Sequence, residues 1–389
     1  MSEIKVNSIK GVGASTAAIT IDNTAGTCTA NITNNLSNRN LIINGAMQVA
    51  QRGTSATVGD NSYATVDRFK LDQNSLDEDV TQAQVDVASG TTPYTSGFRK
   101  AFKITNGNQS GGAESSDRIT IIYLVESQDM ATSGWNYLSS SSYITLSYWV
   151  KSSVAQNFYN TFKNDDGTSQ RYVTETGSLS ADTWTKITKT IPGNSNLTFN
   201  NDNGEGLEIT WELFRGTDQT GTRPLNAWAA ADNATRTPDQ TSTWYTTDDA
   251  TFEITGVQLE VGSVATDFEH TSFKDELRRC QRYFTRIPNQ DASSGYAFLA
   301  QAAAHDTNSS LVTFHFPVFM RSNPSMSTSG SFRLYNGGGI ATTSIVLNTS
   351  NVAGATLQVS TSSGIDRYEA LVFGQNNDSN AAIDFTAEL

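Results

Sequence analysis

Apolar and polar residues alternate in short runs along most of this chain of 389 residues. The clearest run, 143–150, places apolar side chains on one face and Thr145, Ser147 and Trp149 on the other. This alternation predicts a β-strand with one face in the core and the other face accessible. The apolar set of this run is Ile144, Leu146, Tyr148 and Val150. Further runs of the same kind lie at 98–104, 119–125, 158–162, 184–191 and 207–214.

Short strands that recur between turn-forming residues are typical of a β-sandwich. Two apolar segments, 40–47 and 257–269, enclose these runs. We expect them to be the first and last strands of one module, 40–270, and to meet in an antiparallel sheet. In the last run, Trp211 lies on the apolar face and is predicted to be a core residue.

A helix is predicted directly after this module, in a connecting segment at 271–287. Ser272 is a suitable N-cap, Asp275 stands three residues later, and Pro288 would end the helix. One apolar stripe is formed by Phe273, Leu277, Cys280 and Phe284. The opposite face carries Arg278, Arg279 and Arg282. We expect these arginines either to face solvent or to pair with acidic groups of another subunit.

Both ends of the chain also contain alternating segments. Residues 288–389 predict a second, C-terminal β-sandwich, closed by the alternating segment 382–389. Residues 1–39 alternate weakly and cannot bury a core alone, so they predict an extended N-terminal arm that orders against a partner or a neighbouring copy. An arm that is simply flexible is the alternative. The candidate oligomer or attachment residues are Ile4, Val6, Ile9, Arg278 and Arg282.

The composition supports an all-β fold. Hydrophobic residues make up 37% of the chain and charged residues only 17%, and the many Thr, Val, Ile and aromatic residues suit a pleated sheet. The net charge of −13 argues against binding to nucleic acid or to an anionic membrane surface. No segment is long and apolar enough to predict a membrane span, and no secretory leader is recognised, so we expect assembly in a cytoplasm. Cys28 and Cys280 are predicted to be reduced thiols.

The strand pattern is interrupted longest at 216–250, and a loop of this length is often functional. Binding of a glycan requires an aromatic platform for the apolar face of a sugar and polar groups for its hydroxyls. The candidate contacts are Trp228, Trp244 and Tyr245 in this loop, and Trp149 outside it. The alternative is that these rings pin the loop or pack in a subunit contact.

Patterns typical of enzymes are scarce. The histidines are His270, His305 and His315, and His305 with Asp306 is a weak indication of a catalytic triad. Nucleophile-elbow, zinc-protease and phosphate-loop motifs do not occur in the sequence. Glu126, Glu212 and Glu260 could supply paired carboxylates for glycoside hydrolysis, but a sequence does not give the distance that defines this mechanism. We therefore expect no catalytic residue, no metal site and no enzymatic activity.

Several short motifs lie in a fixed order along residues 40–389. They are Asn40-Leu41-Ile42-Ile43-Asn44-Gly45, Gln51-Arg52-Gly53-Thr54-Ser55, Asp67-Arg68, Gln258-Leu259-Glu260-Val261-Gly262, the helical segment 275–283, and Ala387-Glu388-Leu389. In this order they resemble the tail-fibre and other appendage proteins of marine phages, which contain a jelly roll similar to a carbohydrate-binding module. The resemblance implies a virion protein, assembled as a homotrimer, whose target is a glycan or protein of the host surface.

The sequence departs from the wider family at one point. Ala46-Met47-Gln48 stands where sugar-binding jelly rolls often carry an acidic residue of a structural calcium site. No cofactor is therefore expected, with structural calcium left open. On this resemblance we expect a trimeric tail fibre that mediates recognition of the host and adsorption, with the arm bound to other virion proteins. A capsid-bound head fibre or decoration protein, and a glycan depolymerase, are the open alternatives.

Overall fold

In a computed structural model the regular secondary structure of the described residues is almost entirely β-strand, which confirms the predicted all-β class. The structure describes residues 6, 8–9, 19–21, 28–30, 38–57, 59–60, 62–288 and 295–389. The arm contains β1 (Ser8–Ile9), β2 (Ile19–Ile21) and β3 (Cys28–Ala30), which pair antiparallel in that order. The candidate attachment residue Ile4 lies outside the described residues.

The first domain is a sandwich of two six-stranded sheets. Its elements are β4 (Ser55–Thr57), β5 (Phe69–Asn74), β6 (Thr81–Asp86), α1 (Thr92–Thr95), β7 (Lys100–Thr105), β8 (Arg118–Glu126), α2 (Ser127–Thr132), β9 (Tyr143–Ser152), β10 (Tyr159–Asn164), β11 (Gln170–Glu175), β12 (Thr185–Pro192), β13 (Glu205–Arg215), β14 (Trp228–Ala230) and β15 (Thr251–Val261). Sheet 1 has the order β14-β11-β10-β13-β8-β5, and sheet 2 has the order β12-β9-β15-β7-β6-β4. The chain therefore crosses repeatedly between the sheets.

The core of the sandwich lies between the sheets, where the apolar face of β9 is buried as predicted. Trp211 is also a core residue, with 1% of its surface exposed. The other face of β9 differs from the prediction, because Thr145 and Ser147 are buried too, whereas Trp149 is half-buried. The chain beyond β15 covers this end of the strand, since Thr145 Oγ1 donates to the carbonyl oxygen of Gly262 over 2.8 Å.

The segment 40–47 is a turn and not the predicted opening strand. Asn44 and Met47 have φ values of 62° and 58°, and left-handed residues interrupt an extended strand. The segment still lies against β15, through two backbone hydrogen bonds of 2.9 Å. Their donor–acceptor pairs are Leu41–Leu259 and Val257–Gly45. A Cβ atom at Gly45 would lie 2.0 Å from the Val257 carbonyl oxygen, so this close approach requires glycine.

Helix α3 (Phe273–Gln281) is shorter than predicted. Its N-cap is as expected, since Ser272 Oγ accepts a hydrogen bond of 3.2 Å from the Asp275 N–H. Beyond it, β16 (Phe284–Ile287) pairs with the last strand of the chain, and this pairing satisfies backbone groups that a longer helix would have satisfied. Phe273 is 55% exposed and so does not belong to the buried stripe. No helix in the described ranges is both long and apolar enough to span a membrane.

The C-terminal domain is a closed six-stranded barrel with a small attached sheet, and not the predicted sandwich. Its remaining strands are β17 (Phe298–Ala304), β18 (Ser309–His315), β19 (Ser325–Ser329), β20 (Phe332–Tyr335), β21 (Gly339–Asn351), β22 (Gly354–Thr361), β23 (Ala370–Gln375) and β24 (Ala382–Thr386). The barrel order is β17-β18-β22-β21-β20-β23, and β24 lies between β16 and β19. Two register shifts interrupt the pairing of β21 with β22, and bulges of this kind bend a sheet until it closes.

The two domains meet at a junction built from charged and aromatic residues. Glu388, next to the C-terminus, forms ion pairs with Arg68 at 2.5 Å and with Arg52 at 3.1 Å. The Arg68 guanidinium also lies 3.5 Å from the centroid of the Tyr283 ring. Buried ion pairs are costly to break, because the remaining partner is left as an uncompensated charge. We call Arg52, Asp67, Arg68, Tyr283 and Glu388 the junction.

Arg282 was a candidate for contact with another subunit, but it pairs within its own chain. Its guanidinium donates two hydrogen bonds of 2.7 Å to Glu126, which also accepts one from the Tyr283 hydroxyl. Burial alone would raise the pKa of Glu126, but the ion pair with Arg282 and the bond from Tyr283 hold that pKa below its usual value. The Arg282 guanidinium is therefore bound to Glu126, next to the junction.

Two asparagines of the opening motif bind the backbone around them. The Asn40 side chain accepts from Leu259 N over 3.0 Å, and the Asn44 side chain donates to the carbonyl oxygens of Val49 and Asp67 over 2.8 and 3.0 Å. Both residues are buried. Their role in this structure is to fix the turn 40–47 between β15 and the junction.

Candidate functional site

Two of the predicted sugar contacts lie in the core. Trp244 has no exposed surface, and its Nε1 donates to the Thr251 carbonyl over 3.0 Å. Tyr245 is 1% exposed, stacks on Phe214 at 4.3 Å and donates from its hydroxyl to Asp117 over 2.8 Å. A ring without an exposed face cannot stack on a sugar. We therefore correct both assignments: these residues anchor the long loop to the core.

Trp228 closes one edge of the sandwich. It is half-buried in β14, with its ring 5.3 Å from that of Tyr172. Its Nε1 donates to the Pro192 carbonyl over 2.7 Å and so joins the edge strand of sheet 1 to that of sheet 2. Trp149 belongs to sheet 2, so these two tryptophans do not form one platform.

Trp149 lies beside a second tryptophan that the sequence analysis did not select. Trp149 points outward from β9, whereas Trp184 directly precedes β12, the strand next to β9. Both indoles are half-buried and pack against one small apolar cluster on the outer face of sheet 2. The buried members of that cluster are Ala46, Val87, Phe98 and Ala101. The cluster fixes both rings while part of each remains accessible.

Charged side chains continue the same face of sheet 2. Lys151 Nζ lies 2.9 Å from Glu253 Oε1 and 5.3 Å from the centroid of the Trp184 ring. Lys103 is opposite Glu253 on the next strand. We call Trp149, Lys151, Trp184, Glu253 and Lys103 the indole patch.

The indole patch contains the groups that a sugar site requires. An indole ring can cover the apolar face of a pyranose, while a carboxylate accepts from its hydroxyls and an ammonium group donates to them. The outward alternation that identified Trp149 continues to Lys151, which is a signal in the sequence. Alternation along β9 does not indicate Trp184 or Glu253, because these residues come close to Trp149 only through the pairing of β9 with β12 and β15.

The candidate attachment residues are on separate elements. Val6 and Ile9 lie in the arm and are 40% and 53% exposed. Arg278 is exposed on α3. These three side chains are therefore accessible, whereas Arg282 is held by Glu126.

The glutamates considered for catalysis are each held in a different internal network. Glu212 forms an ion pair of 2.8 Å with Arg215, and both side chains are buried. Glu260 accepts hydrogen bonds of 2.8 and 2.9 Å from Thr266 N and Gln258 Nε2. Glu126 is bound by Arg282, as described above. All three therefore have structural partners in the chain.

Other groups with possible chemistry are also partnered or buried. His305 Nδ1 lies 3.6 Å from Asp306 Oδ2 on the surface, and Asp306 also accepts from Ser309 Oγ over 2.9 Å. Cys280 is a free thiol, and burial raises its pKa well above the usual value. In the described part of the chain, no three His, Cys, Asp or Glu side chains are grouped so as to hold a metal ion.

Comparison with known proteins gives similar solved structures but no family. No family model and no curated protein matches the chain. Similar solved structures include a putative sugar-binding protein from Bacteroides thetaiotaomicron, with 13% identity and a TM-score of 0.32 over 57% of this chain and 100% of that one. Another is the N-terminal cellulose-binding domain of β-1,4-glucanase C from Cellulomonas fimi, with 10% identity and a TM-score of 0.26 over 56% and 99%.

A phage protein is also among the similar structures. The enzymatically active domain of tailspike protein 4 from bacteriophage CBA120 has 8% identity and a TM-score of 0.30. The match covers 58% of this chain but only 22% of the tailspike chain. At these values the likeness concerns the fold alone, so we base no functional argument on it. The class that the structure itself defines is an all-β protein with a two-sheet β-sandwich followed by a closed barrel.

Proposed function

We propose that this protein is a glycan-binding component of a phage virion, assembled as part of the tail fibre. The indole patch carries the proposal, because two fixed indoles beside an ammonium and a carboxylate group are suited to hold a pyranose ring. The ordered motifs along residues 40–389 support the virion part, through their resemblance to phage appendage proteins. In this role the chain binds a glycan of the host surface and catalyses no reaction.

The position of the two indoles suggests how a sugar would bind. Trp149 on β9 is opposite Lys186 of β12, and Trp184 stands two residues before Lys186, so the two indoles are diagonal neighbours roughly 7–8 Å apart. A sugar ring held against Trp149 therefore extends toward Trp184. Lys151 and Glu253, which are paired at 2.9 Å, then meet the hydroxyls at its rim. The hydroxyls of a glycan can replace the contact between Lys151 and Glu253, because a hydroxyl donates to the carboxylate and accepts from the ammonium group. Neither charge is then left without a partner.

Replacement of the indoles tests the sugar site. We expect Trp149→Ala and Trp184→Ala each to weaken binding to host-surface polysaccharide by about tenfold, because the stacking surface is lost. The double variant should adsorb to host cells more weakly than either single variant. Binding of the purified chain to host cells, measured against concentration, gives both results.

Tyr368→Ala is the matched control for these variants. Its ring is 79% exposed in the C-terminal domain, outside the indole patch, so its removal should leave adsorption unchanged. Thermal unfolding establishes that each variant is folded. Wild-type adsorption by the folded double variant would refute the sugar site.

Two further measurements test the rest of the proposal. Antibody labelling of virions should mark the tail, whereas labelling of the capsid would support a head fibre or decoration protein. A reducing-sugar assay on host polysaccharide should show no release of sugar. Release of reducing ends would instead support a glycan depolymerase.

A further inference from the structure

A second exposed aromatic surface lies on the barrel. Tyr296 and Phe298 are 45% and 56% exposed, and the Phe298 ring lies 5.5 Å from that of Tyr335. The Arg333 guanidinium is 4.5 Å from the centroid of Tyr296, 5.7 Å from Phe298 and 5.4 Å from Tyr335. We call these four residues the arginine cage.

Strand pairing explains why these side chains meet. Phe298 on β17 is opposite Gly374 on β23, which is itself opposite Arg333 on β20. Gly374 has no side chain, and a Cβ atom there would lie 2.4 Å from the Ala297 carbonyl oxygen. The phenyl ring and the guanidinium therefore approach each other across a glycine. On its other side, Arg333 is opposite another small residue, Ala341.

Arg333 differs in its partners from the arginines in and around the junction. Arg68, Arg282 and Arg286 each pair with a carboxylate. The guanidinium of Arg333 forms no ion pair with, and donates no hydrogen bond to, any residue in the described ranges, and its Nε is buried without a partner. The three rings surround the guanidinium within the distance of cation–π contact. The N–H groups of this guanidinium thus have a fixed position but donate no hydrogen bond within the described chain.

We propose that the arginine cage binds a carboxylated sugar, such as a hexuronic acid unit of an acidic polysaccharide. The planar carboxylate accepts two hydrogen bonds from the guanidinium, and the sugar ring packs on the exposed face of Phe298 or Tyr296. A neutral sugar would use the rings but leave the guanidinium without an acceptor. Because the chain carries a net charge of −13, binding depends on this local contact and not on the overall field.

This inference extends the proposed glycan-binding function to the second domain and to a class of sugar. It does not depend on the indole patch, because the two sites belong to different domains. Several acidic units in one polymer could then bind several copies of the chain, which raises the overall affinity.

Two sugar probes that differ only in the charge of their carboxyl groups test the arginine cage. We expect the full chain to bind oligogalacturonate, and its neutral methyl ester at least about tenfold more weakly, because only the free acid forms charge-assisted hydrogen bonds. Arg333→Gln should remove this preference and leave the binding of the ester unchanged. Arg333→Lys should keep part of the preference, since a charge remains without the planar fork. Phe298→Ala should weaken the binding of both probes. Isothermal titration calorimetry measures these affinities.

Two controls separate this site from the rest of the chain. Arg278→Gln removes an exposed arginine of α3 and should have no effect. The Trp149→Ala/Trp184→Ala double variant should retain the preference for the acid, whether or not the indole patch binds sugar. Three results would each overturn the proposal. They are equal affinity for the acid and the ester, an unchanged preference in folded Arg333→Gln, and no binding of oligogalacturonate at millimolar concentration.

Discussion

Asp67 is a buried carboxyl group of the junction whose pKa is raised by burial. It has no exposed surface, accepts a hydrogen bond of 3.0 Å from Gln51 N and lies 3.8 Å from Arg52. Burial raises the pKa of Asp67 from 3.8 to about 6, although Arg52 and the Gln51 side chain act in the opposite direction and Glu388 adds to the rise. The charge state of this carboxyl group should therefore change under mildly acidic conditions.

The raised pKa predicts a pH dependence of stability. Between pH 3.8 and about 6, folded Asp67 keeps a proton that the unfolded chain has released, so the contribution of this group falls as pH rises through that window and is constant above it. This contribution is at most about 3 kcal/mol. Urea unfolding of the wild type and of Asp67→Asn at pH 4.5, 5.5 and 6.5 should show a smaller decrease for the variant. Parallel pH profiles for the two proteins would contradict the assignment.

Helix α3 connects the turn 40–47 to the C-terminal domain. Glu276, on its first turn, accepts a hydrogen bond of 2.5 Å from the Asn44 N–H. β16 follows the helix and pairs with β24. The start of α3 should thus contribute to the stability of both domains, although the helix itself is only nine residues long.

The N-cap of α3 provides a direct test. Ser272→Ala removes the acceptor for the Asp275 N–H and should lower the free energy of unfolding by about 1 kcal/mol. Lys274→Ala is the control, because this side chain is exposed on the same helix and its loss should change stability by less than about 0.5 kcal/mol. Equal midpoints of urea unfolding for the two variants would show that the cap does not stabilise the helix.

Local patterns predicted the elements that depend on near neighbours in the chain. The buried face of β9 and the Ser272 cap follow from periodicity and capping chemistry alone. The early end of α3 could not be predicted, because it depends on pairing between Phe284 and Thr386. Burial of Trp244 likewise depends on distant partners, such as the Phe158 ring at 6.5 Å. Closure of the barrel was unpredictable for the same reason, since a sequence does not state which strands become neighbours.

The two proposed sugar sites lie on domains that are joined by buried ion pairs. Each site alone offers a small contact area, so useful affinity requires several sites acting together. A closed ring of identical chains provides this without growth into fibres. Val6 and Ile9 in the arm are exposed in the single chain and are suited to pack between copies.

We therefore expect the purified chain to sediment as a trimer at micromolar concentration. Removal of residues 1–39 should give monomers that still bind sugar weakly through each site, because neither site includes the arm. Analytical ultracentrifugation of both forms tests this. A monodisperse monomer from the full chain would contradict the trimer, and a trimer from the shortened chain would exclude the arm as its cause.

The turn around Asn44 and the ion pairs of Glu388 have a consequence for how such a protein can change. Both belong to the ordered sequence motifs, and both stabilise the fold. Trp184 and Arg333, which belong to the proposed sugar sites, lie outside those motifs. Under the proposed function, selection for a stable fold and selection for a new receptor therefore act on different residues. Under the proposed function, genetic exchange that keeps 40–287 and 382–389 and replaces the barrel strands between them would change the bound receptor in one step, without a separate adaptation of the junction.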